Sequence, residues 1–216
     1  MRTELVLFPN PDTSGIPANL NGGKTKVKKK TQHLTLTAAL VALVLILGLT
    51  PIGMIPLGFI NISILAIPVV VGTLLLGLKT GMLLGFCFGT ISALGAFGIY
   101  GTPSALAGAL VAANPVFALI MCYLPRLLVP AVAWLMYRLL SKKHINAAAA
   151  AVAGSLTNTV FYLGLMLLFY VIEGIDSAKV LALIGGTGLL AGGLEAVANA
   201  IVTVPVVSAL SQMMKK

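Results

Sequence analysis

Charged side chains are scarce in this sequence of 216 residues, where they make up only 9% of the chain. In a soluble globular domain about a quarter of the residues are usually charged. Hydrophobic residues, in contrast, account for 59% of the chain. This composition excludes a soluble globular domain and indicates a protein that lies in a lipid bilayer.

Cysteine and the common catalytic motifs are also missing or rare. The only two cysteines, Cys87 and Cys122, lie in apolar runs without CxxC spacing, so the sequence predicts neither a metal site nor a disulfide framework. It contains no HExxH motif and no GxxxxGK[ST] phosphate loop, so we do not expect the chain to bind ATP in that way. No serine–histidine–carboxylate set is available in the apolar runs. We therefore expect no cofactor, no metal and no enzymatic activity.

Six apolar runs predict an all-α polytopic membrane protein with six transmembrane helices. The predicted spans cover residues 34–49, 62–77, 81–97, 115–140, 147–171 and 189–210. Accordingly, the chain divides into a polar basic N-terminal tail (1–33), a six-helix membrane domain (34–212) and a basic C-terminal end (213–216). We expect the tail to be disordered or loosely attached.

The basic residues predict the orientation of these spans. Five of the fourteen lie between Lys24 and Lys30, and most of the others lie at Lys79, in the turn at 138–143 and at the C-terminus. With six spans all of these positions fall on one side, so the positive-inside rule places both termini in the cytoplasm. Because the basic residues do not form one surface, we expect no nucleic-acid partner.

Arg126 lies inside the apolar stretch 115–140. In a helix it would be roughly 16 Å from one end and 21 Å from the other. A lone guanidinium at that depth costs several kcal/mol unless an anion or water interacts with it. Asn158 in the fifth span, and Glu195 and Asn199 on one face of the sixth, are the other polar residues at depth. We predict that they converge with Arg126 on one pocket that is open to the outside and binds an anionic ligand.

Two other interpretations of these polar residues remain open. Arg126 and Glu195 could be a structural ion pair in a helical bundle or assembly factor, with the asparagines forming interhelical hydrogen bonds. A small membrane enzyme could use Glu195 as a general base, although a nearby arginine would oppose that role. The GxxxG series Gly81, Gly85 and Gly89 predicts close packing of the third span on a neighbour.

The first span, LTLTAALVALVLI, contains the small-xxx-small pair Ala38 and Ala42. This pair resembles the AxxxA patch of the substrate-binding subunits, or S components, of energy-coupling factor (ECF) vitamin transporters. The segments YLPRLLVP and GSLTNTVFYLGL are also similar to those of vitamin-binding members. The resemblance covers about residues 34–212 and agrees with six spans, cytoplasmic termini and the missing nucleotide site.

The resemblance implies a transport mechanism. An S component binds a vitamin from outside and topples in the membrane against a partner complex of one transmembrane subunit and two ATPase subunits, which drives uptake. The face of Ala38 and Ala42 would contact the transmembrane subunit. The loops after the first and third spans would cap the pocket, which places Asn61 and Tyr100 near the ligand, and Tyr123 lies close to Arg126 in sequence.

The identity of the vitamin is predicted from the inventory of polar and aromatic residues. An intramembrane cation with amide groups nearby suits a small anion that is rich in hydroxyl or amide groups. A flat heteroaromatic vitamin needs stacking surfaces, and only 6% of the residues are aromatic. Pantothenate fits best, and folate is the nearest alternative. Arg126 would bind the carboxylate, while Asn158, Glu195 and Asn199 would bind hydroxyl and amide groups.

Overall fold

The computed structural model of the protein describes residues 19–50, 53–56, 61–100, 105–140 and 146–215. Within these ranges it is helical apart from one antiparallel pair of short strands, β1 (Met54–Pro56) and β2 (Asn61–Ser63). A π-helical turn, Ile184–Gly188, precedes the last helix. The α-helices are α1 (Asn19–Gly48), α2 (Ala66–Leu76), α3 (Leu78–Ala96), α4 (Ala105–Ala113), α5 (Pro115–Leu139), α6 (Asn146–Ile172), α7 (Ala178–Leu183) and α8 (Leu189–Lys215).

Five helical segments in the described ranges are long and apolar enough to cross a membrane: Lys30–Gly48, Leu78–Ala96, Pro115–Leu139, Asn146–Ile172 and Gly192–Gln212. The second predicted span, 62–77, is shorter in the structure because Ile62 belongs to β2 and the helix begins at Ala66. Its 11 residues measure about 16 Å, roughly half of the hydrocarbon thickness. The all-α membrane class is supported, with five long helices and one short apolar helix.

The N-terminal tail was predicted as residues 1–33. Residues 1–18 lie outside the described part, and residues 19–33 are helical because α1 begins at Asn19 rather than at Leu34. By its contacts the chain divides into two units between Leu36 and Thr37. The predicted division into three segments stays a prediction.

The helices α2 and α3 form a hairpin around a single residue, Gly77. Its φ of +92° belongs to the left-handed region that glycine adopts without a steric penalty. On either side of this break, Gly72 of α2 lies directly against Leu84 of α3. The two helices therefore run antiparallel. The helix α1 runs parallel to α3. Leu40 of α1 lies against Gly72, at the level of Leu84 of α3, and Gly48 of α1 lies against Ile91 farther along α3.

The predicted glycine packing surface is confirmed. A Cβ at Gly85 would lie 2.6 Å from the Arg126 carbonyl oxygen, and one at Gly89 would lie 2.8 Å from the Tyr123 ring. As the residue number rises along α3 it falls along α5, so these helices are antiparallel and their backbones come close together. The small-residue face of α3 thus positions the middle of α5.

We expect Gly85→Val to destabilise the protein, because the new side chain would overlap a backbone carbonyl of α5 that moves only with the helix. Overpacking of this kind costs about 1–3 kcal/mol. Thermal unfolding in detergent measures the effect. The matched control is Gly164→Ala in α6, where nothing lies within 4 Å of the added Cβ, and there a small gain is expected. Equal stability of Gly85→Val and wild type would contradict the packing.

The remaining long helices continue the alternation. Gly154 of α6 lies against Val129 of α5, and Gly192 of α8 lies against Thr159 of α6. Glu195 of α8 lies close to Ser155 of α6, as described below. Since the residue number rises along α8 as it falls along α6, these two helices are antiparallel. Within residues 37–216, the order α1, α2, α3, α5, α6, α8 therefore alternates in direction at every step.

The predicted loop 98–113 contains the short helix α4, which Asn114 separates from α5. Asn114 adopts an extended conformation, and its side chain accepts hydrogen bonds from the backbone N–H groups of Val116 and Phe117. Its amide group also donates to Glu173 Oε1 at 2.9 Å, and the Tyr170 hydroxyl donates to the Leu106 carbonyl at 2.6 Å. The end of α6 is thereby fixed to α4 and to the start of α5.

Candidate functional site

Arg126 lies in the middle of α5 and is only 6% exposed. Its Nη1 group donates a hydrogen bond to the Met121 carbonyl at 3.1 Å, whereas Nε has no partner. The guanidinium carbon lies 4.4 Å from the ring centroid of Tyr162 on α6 and 5.3 Å from that of Phe88 on α3. Two rings and one carbonyl thus hold the cation in place, and its hydrogen-bonding capacity is only partly used.

Arg126 belongs to a set of buried side chains with unused polar atoms. In the part of the chain that the structure describes, six buried side-chain nitrogen or oxygen atoms have no hydrogen-bond partner. Each such atom costs about 1–3 kcal/mol relative to a satisfied one, so each requires an explanation, and interaction with a bound ligand is one. The six atoms all lie on α5, α6 and α8: Arg126 Nε, Ser155 Oγ, Asn158 Oδ1, Glu195 Oε1, Asn199 Oδ1 and Thr203 Oγ1.

Glu195 connects the three helices. Its carboxylate interacts electrostatically with Arg126 and with the Ser155 hydroxyl. The contact with Ser155 is close but lacks full hydrogen-bond geometry, since Ser155 Oγ and Glu195 Oε1 both remain without a partner. The pair Arg126 and Glu195 is therefore within electrostatic reach without closing a complete ion pair. Arg126 Nε and Glu195 Oε1 therefore keep hydrogen-bonding capacity that a ligand could use.

The polar residues of α5 and α6 lie between two apolar clusters. On α5, Arg126 separates Met121 and Cys122 of one cluster from Val129 and Ala133 of the other. On α6, the polar positions similarly lie between the two groups of buried apolar residues: Ala150 and Ala151 on one side, and Leu163, Met166, Phe169 and Tyr170 on the other. A polar layer with apolar packing above and below is the usual construction of a small-molecule site.

The predicted residues Asn158 and Asn199 are placed with Arg126 and Glu195 in this set, being 6% and 1% exposed. Tyr123 has other contacts, because its hydroxyl is 3.1 Å from Thr90 Oγ1 on α3. Tyr100 lies just after α3 and is partly buried, with its backbone N–H bonded to the Leu94 carbonyl. Asn61 begins β2, and its side chain lies outside the described part.

Sequence reasoning missed three residues of the site: Phe88, Ser155 and Tyr162. Ser155 lies three residues before Asn158 and Tyr162 lies four residues after it, so each is one helical turn away and helical periodicity could have found both. Nothing in the sequence indicates Phe88, which comes from a separate helix.

Ala38 and Ala42 lie on an exposed face of α1. On the opposite side of that helix, Leu40 and Val44 are buried at 8% and 0% exposure. The small residues are thus turned away from the core of residues 37–216 and are available to a partner helix.

Arg126 and the surrounding hydroxyl and amide groups can bind an organic anion. In the described ranges no three His, Cys, Asp or Glu side chains come together in a way that could hold a metal ion.

Comparison with known proteins identifies the family. The family model described as "ECF transporter, substrate-specific component" matches residues 32–207, which is most of the chain. No curated protein matches the sequence. Members of this family are substrate-binding transport subunits and not enzymes, so the alternative with Glu195 as a catalytic base is wrong. They take up a small-molecule substrate together with the other subunits of an ECF transporter. The chain is a multi-pass membrane protein with a set of buried, partly unsatisfied polar side chains. Its match to this family model shows that it belongs to the substrate-specific components of ECF transporters.

Proposed function

We propose that the protein captures pantothenate at the outer side of the bacterial cytoplasmic membrane for ATP-driven uptake. The observation that carries this proposal is Arg126, a guanidinium that is 6% exposed, held by two rings and without a complete ion pair. A carboxylate of the ligand would complete its hydrogen bonding and neutralise its charge. Asn158, Glu195 and Asn199 would bind the amide and hydroxyl groups of the ligand.

Folate is the second candidate because it also carries carboxylates. The surroundings of Arg126 favour pantothenate. The Phe88 and Tyr162 rings already contact the guanidinium, and the Tyr123 ring packs against Phe86 with 5.4 Å between the ring centroids. A pteridine ring needs a free aromatic face on which to stack, whereas pantothenate needs none. Tyr100 and Asn61 would close the pocket from the outer connections.

We further propose that the chain crosses the membrane six times with both termini in the cytoplasm. The alternating directions of the six helices support this topology, with α2 and the preceding β1–β2 hairpin together making the short second crossing. The exposed Lys79 beside the α2–α3 turn and Arg138 at the end of α5 would then face the cytoplasm. The partners would be one transmembrane subunit and two ATPase subunits.

Titration calorimetry of the purified protein with a matched ligand pair tests the proposed substrate. Pantothenol replaces the carboxylate of pantothenate by an alcohol and keeps the rest of the molecule. We expect pantothenate to bind at least about 30-fold more tightly, since a buried charge pair is worth about 2 kcal/mol or more. Folate serves as the competing ligand.

Three results would contradict the proposal in different ways. Tight binding of folate alone would support the folate alternative. Equal affinity for pantothenate and pantothenol would remove the role of Arg126 as a carboxylate site. Absence of binding to any member of a vitamin panel would favour a structural or assembly role of the chain.

A further inference from the structure

The Ser155 hydroxyl has no hydrogen-bond partner, although both threonine hydroxyls of the same helix donate to backbone carbonyls. Thr157, two residues on, donates to the carbonyl four residues earlier at 2.7 Å, and Thr159 donates to the Ser155 carbonyl at 3.4 Å. Ser155 Oγ is fully buried and has no partner, although the same type of acceptor is available to it. A buried serine hydroxyl ordinarily forms this local bond. Its absence leaves a donor and an acceptor available at the α6–α8 interface.

Ser155 lies two helical turns from Tyr162, whose ring contacts the cation. The guanidinium of Arg126 is in contact with the ring of Tyr162, and Ser155 precedes Tyr162 by seven residues on α6. The rise of the helix makes this separation about 10 Å along the axis. Asn158 lies between the two positions on neighbouring turns. The Ser155 hydroxyl is close to the Glu195 carboxylate, so that end of the site combines a hydroxyl with a strong acceptor.

The two ends of the site differ in chemistry. The end at Tyr162 presents a guanidinium, which binds a carboxylate. The end at Ser155 presents an anionic acceptor and a hydroxyl, which suit a ligand O–H or N–H donor and would repel a second carboxylate. With bond lengths similar to those of a peptide chain, extended pantothenate measures roughly 10 Å between its carboxylate and its terminal hydroxyl. This length is similar to the two-turn spacing of Ser155 and Tyr162 along α6.

We propose that Ser155, with Glu195, forms a hydroxyl-binding subsite that sets the orientation and the length of the ligand. The ligand lies along α6 with its carboxylate at Arg126 and its terminal hydroxyl between Ser155 and Glu195. The subsite selects anions that carry a hydrogen-bond donor about 10 Å from the carboxylate. This inference rests on the proposed function and adds a specificity-determining residue to it.

Thr203 provides a matched control on α8. Like Ser155, it is 0% exposed and its hydroxyl has no partner. It lies eight residues after Glu195, which is about 12 Å deeper along the helix, so a ligand bound between Arg126 and Glu195 does not reach it. Ser155→Ala and Thr203→Val each remove one unsatisfied buried hydroxyl and leave the apolar contacts of the residue. Neither substitution should lower the unfolding temperature.

The test is a cycle of two ligands and two variants, read by titration calorimetry. The ligands are pantothenate and an analogue that lacks only the terminal hydroxyl. We expect Ser155→Ala to weaken pantothenate binding about tenfold, the value of a buried hydrogen bond of about 1.4 kcal/mol, and to leave the affinity for the analogue unchanged. Thr203→Val should leave both affinities unchanged.

The outcomes separate this inference from the proposed function. If wild type binds pantothenate and Ser155→Ala weakens both ligands equally, or weakens neither, the hydroxyl subsite is wrong while the pantothenate site stands. An equal loss of affinity in Thr203→Val would also overturn the hydroxyl subsite, because the loss would then not require the hydroxyl to lie within hydrogen-bonding distance of the ligand. If wild type binds no pantothenate, the proposed function fails and the subsite fails with it.

Discussion

Arg126→Met should abolish tight binding of pantothenate and leave the fold intact. The substitution removes a charge that is 6% exposed and whose Nε has no partner, and it keeps an apolar chain of similar length between the Phe88 and Tyr162 rings. Truncating one member of a buried charge pair costs about 2–5 kcal/mol, which corresponds to a loss of affinity of roughly 30- to 5,000-fold. Titration calorimetry measures the loss, and thermal unfolding checks the fold.

The control for this variant is Arg138→Met at the C-terminal end of α5. Arg138 is exposed and stacks on Trp134 at 4.4 Å from the ring centroid, so its loss removes the same net charge without changing the polar layer. We expect its affinity for pantothenate to stay within a factor of two of wild type. Arg126→Lys gives an intermediate case, because it keeps the charge but loses the planar fork that binds a carboxylate with two hydrogen bonds.

Two results would contradict the role of Arg126. Retention of full affinity in Arg126→Met would mean that the ligand carboxylate lies elsewhere. A large fall in unfolding temperature with a proportional loss of binding would mean that Arg126 and Glu195 form a structural pair. The double variant Arg126→Met, Glu195→Gln distinguishes this case, since it would restore stability in a structural pair and would not restore pantothenate binding.

Ala38→Trp or Ala42→Trp should stop uptake while leaving pantothenate binding unchanged. Both alanines are on the exposed face of α1, opposite the buried Leu40 and Val44, so a larger side chain does not disturb the core of residues 37–216. Close packing of membrane helices requires small residues at the contact. An indole at either position would hold the partner helix away, and we expect uptake to fall at least about tenfold.

Uptake of labelled pantothenate into vesicles that contain the complete transporter measures this effect, and calorimetry on the isolated chain measures binding. The control is Leu43→Trp, at an exposed position about 100° around the helix from Ala42, where lipid can accommodate the ring. If Leu43→Trp loses as much uptake as Ala42→Trp, the contact face is not the one defined by the alanines. If Ala38→Trp and Ala42→Trp both transport at the wild-type rate, the alanine face has no role in assembly.

The long apolar helices could be predicted well from the sequence. The third and fifth predicted spans, 81–97 and 147–171, differ from α3 (78–96) and α6 (146–172) by three residues or fewer. An apolar run of this length has few structures open to it in a bilayer other than a transmembrane helix. Arg126 and Glu195 could likewise be recognised in the sequence as candidate site residues, because each is a charged residue in an apolar run. Burying a charge in a membrane is so costly that such a residue usually has a function.

The elements that the sequence did not predict are set by tertiary contacts. The late start of α2 involves Ile62, Ile64 and Leu65, which are as apolar as helical residues, so hydropathy does not distinguish them. Ser155 and Thr203 have ordinary hydropathy for a membrane helix, where serine and threonine usually bond their own backbone. Only the structure shows that these two hydroxyls remain unused.

The position of the polar layer between two apolar clusters has a consequence for delivery of the ligand. Between this layer and the end of the bundle that carries Lys79, side chains such as Val70, Val129, Ala133 and Ala150 have no exposed surface. Opening an aqueous passage through them would separate several interdigitated methyl groups, at about 25 cal/mol for each Å² exposed to water. A change in the tilt of the entire bundle leaves those contacts undisturbed, so we expect the interior packing of the loaded and the emptied protein to be the same.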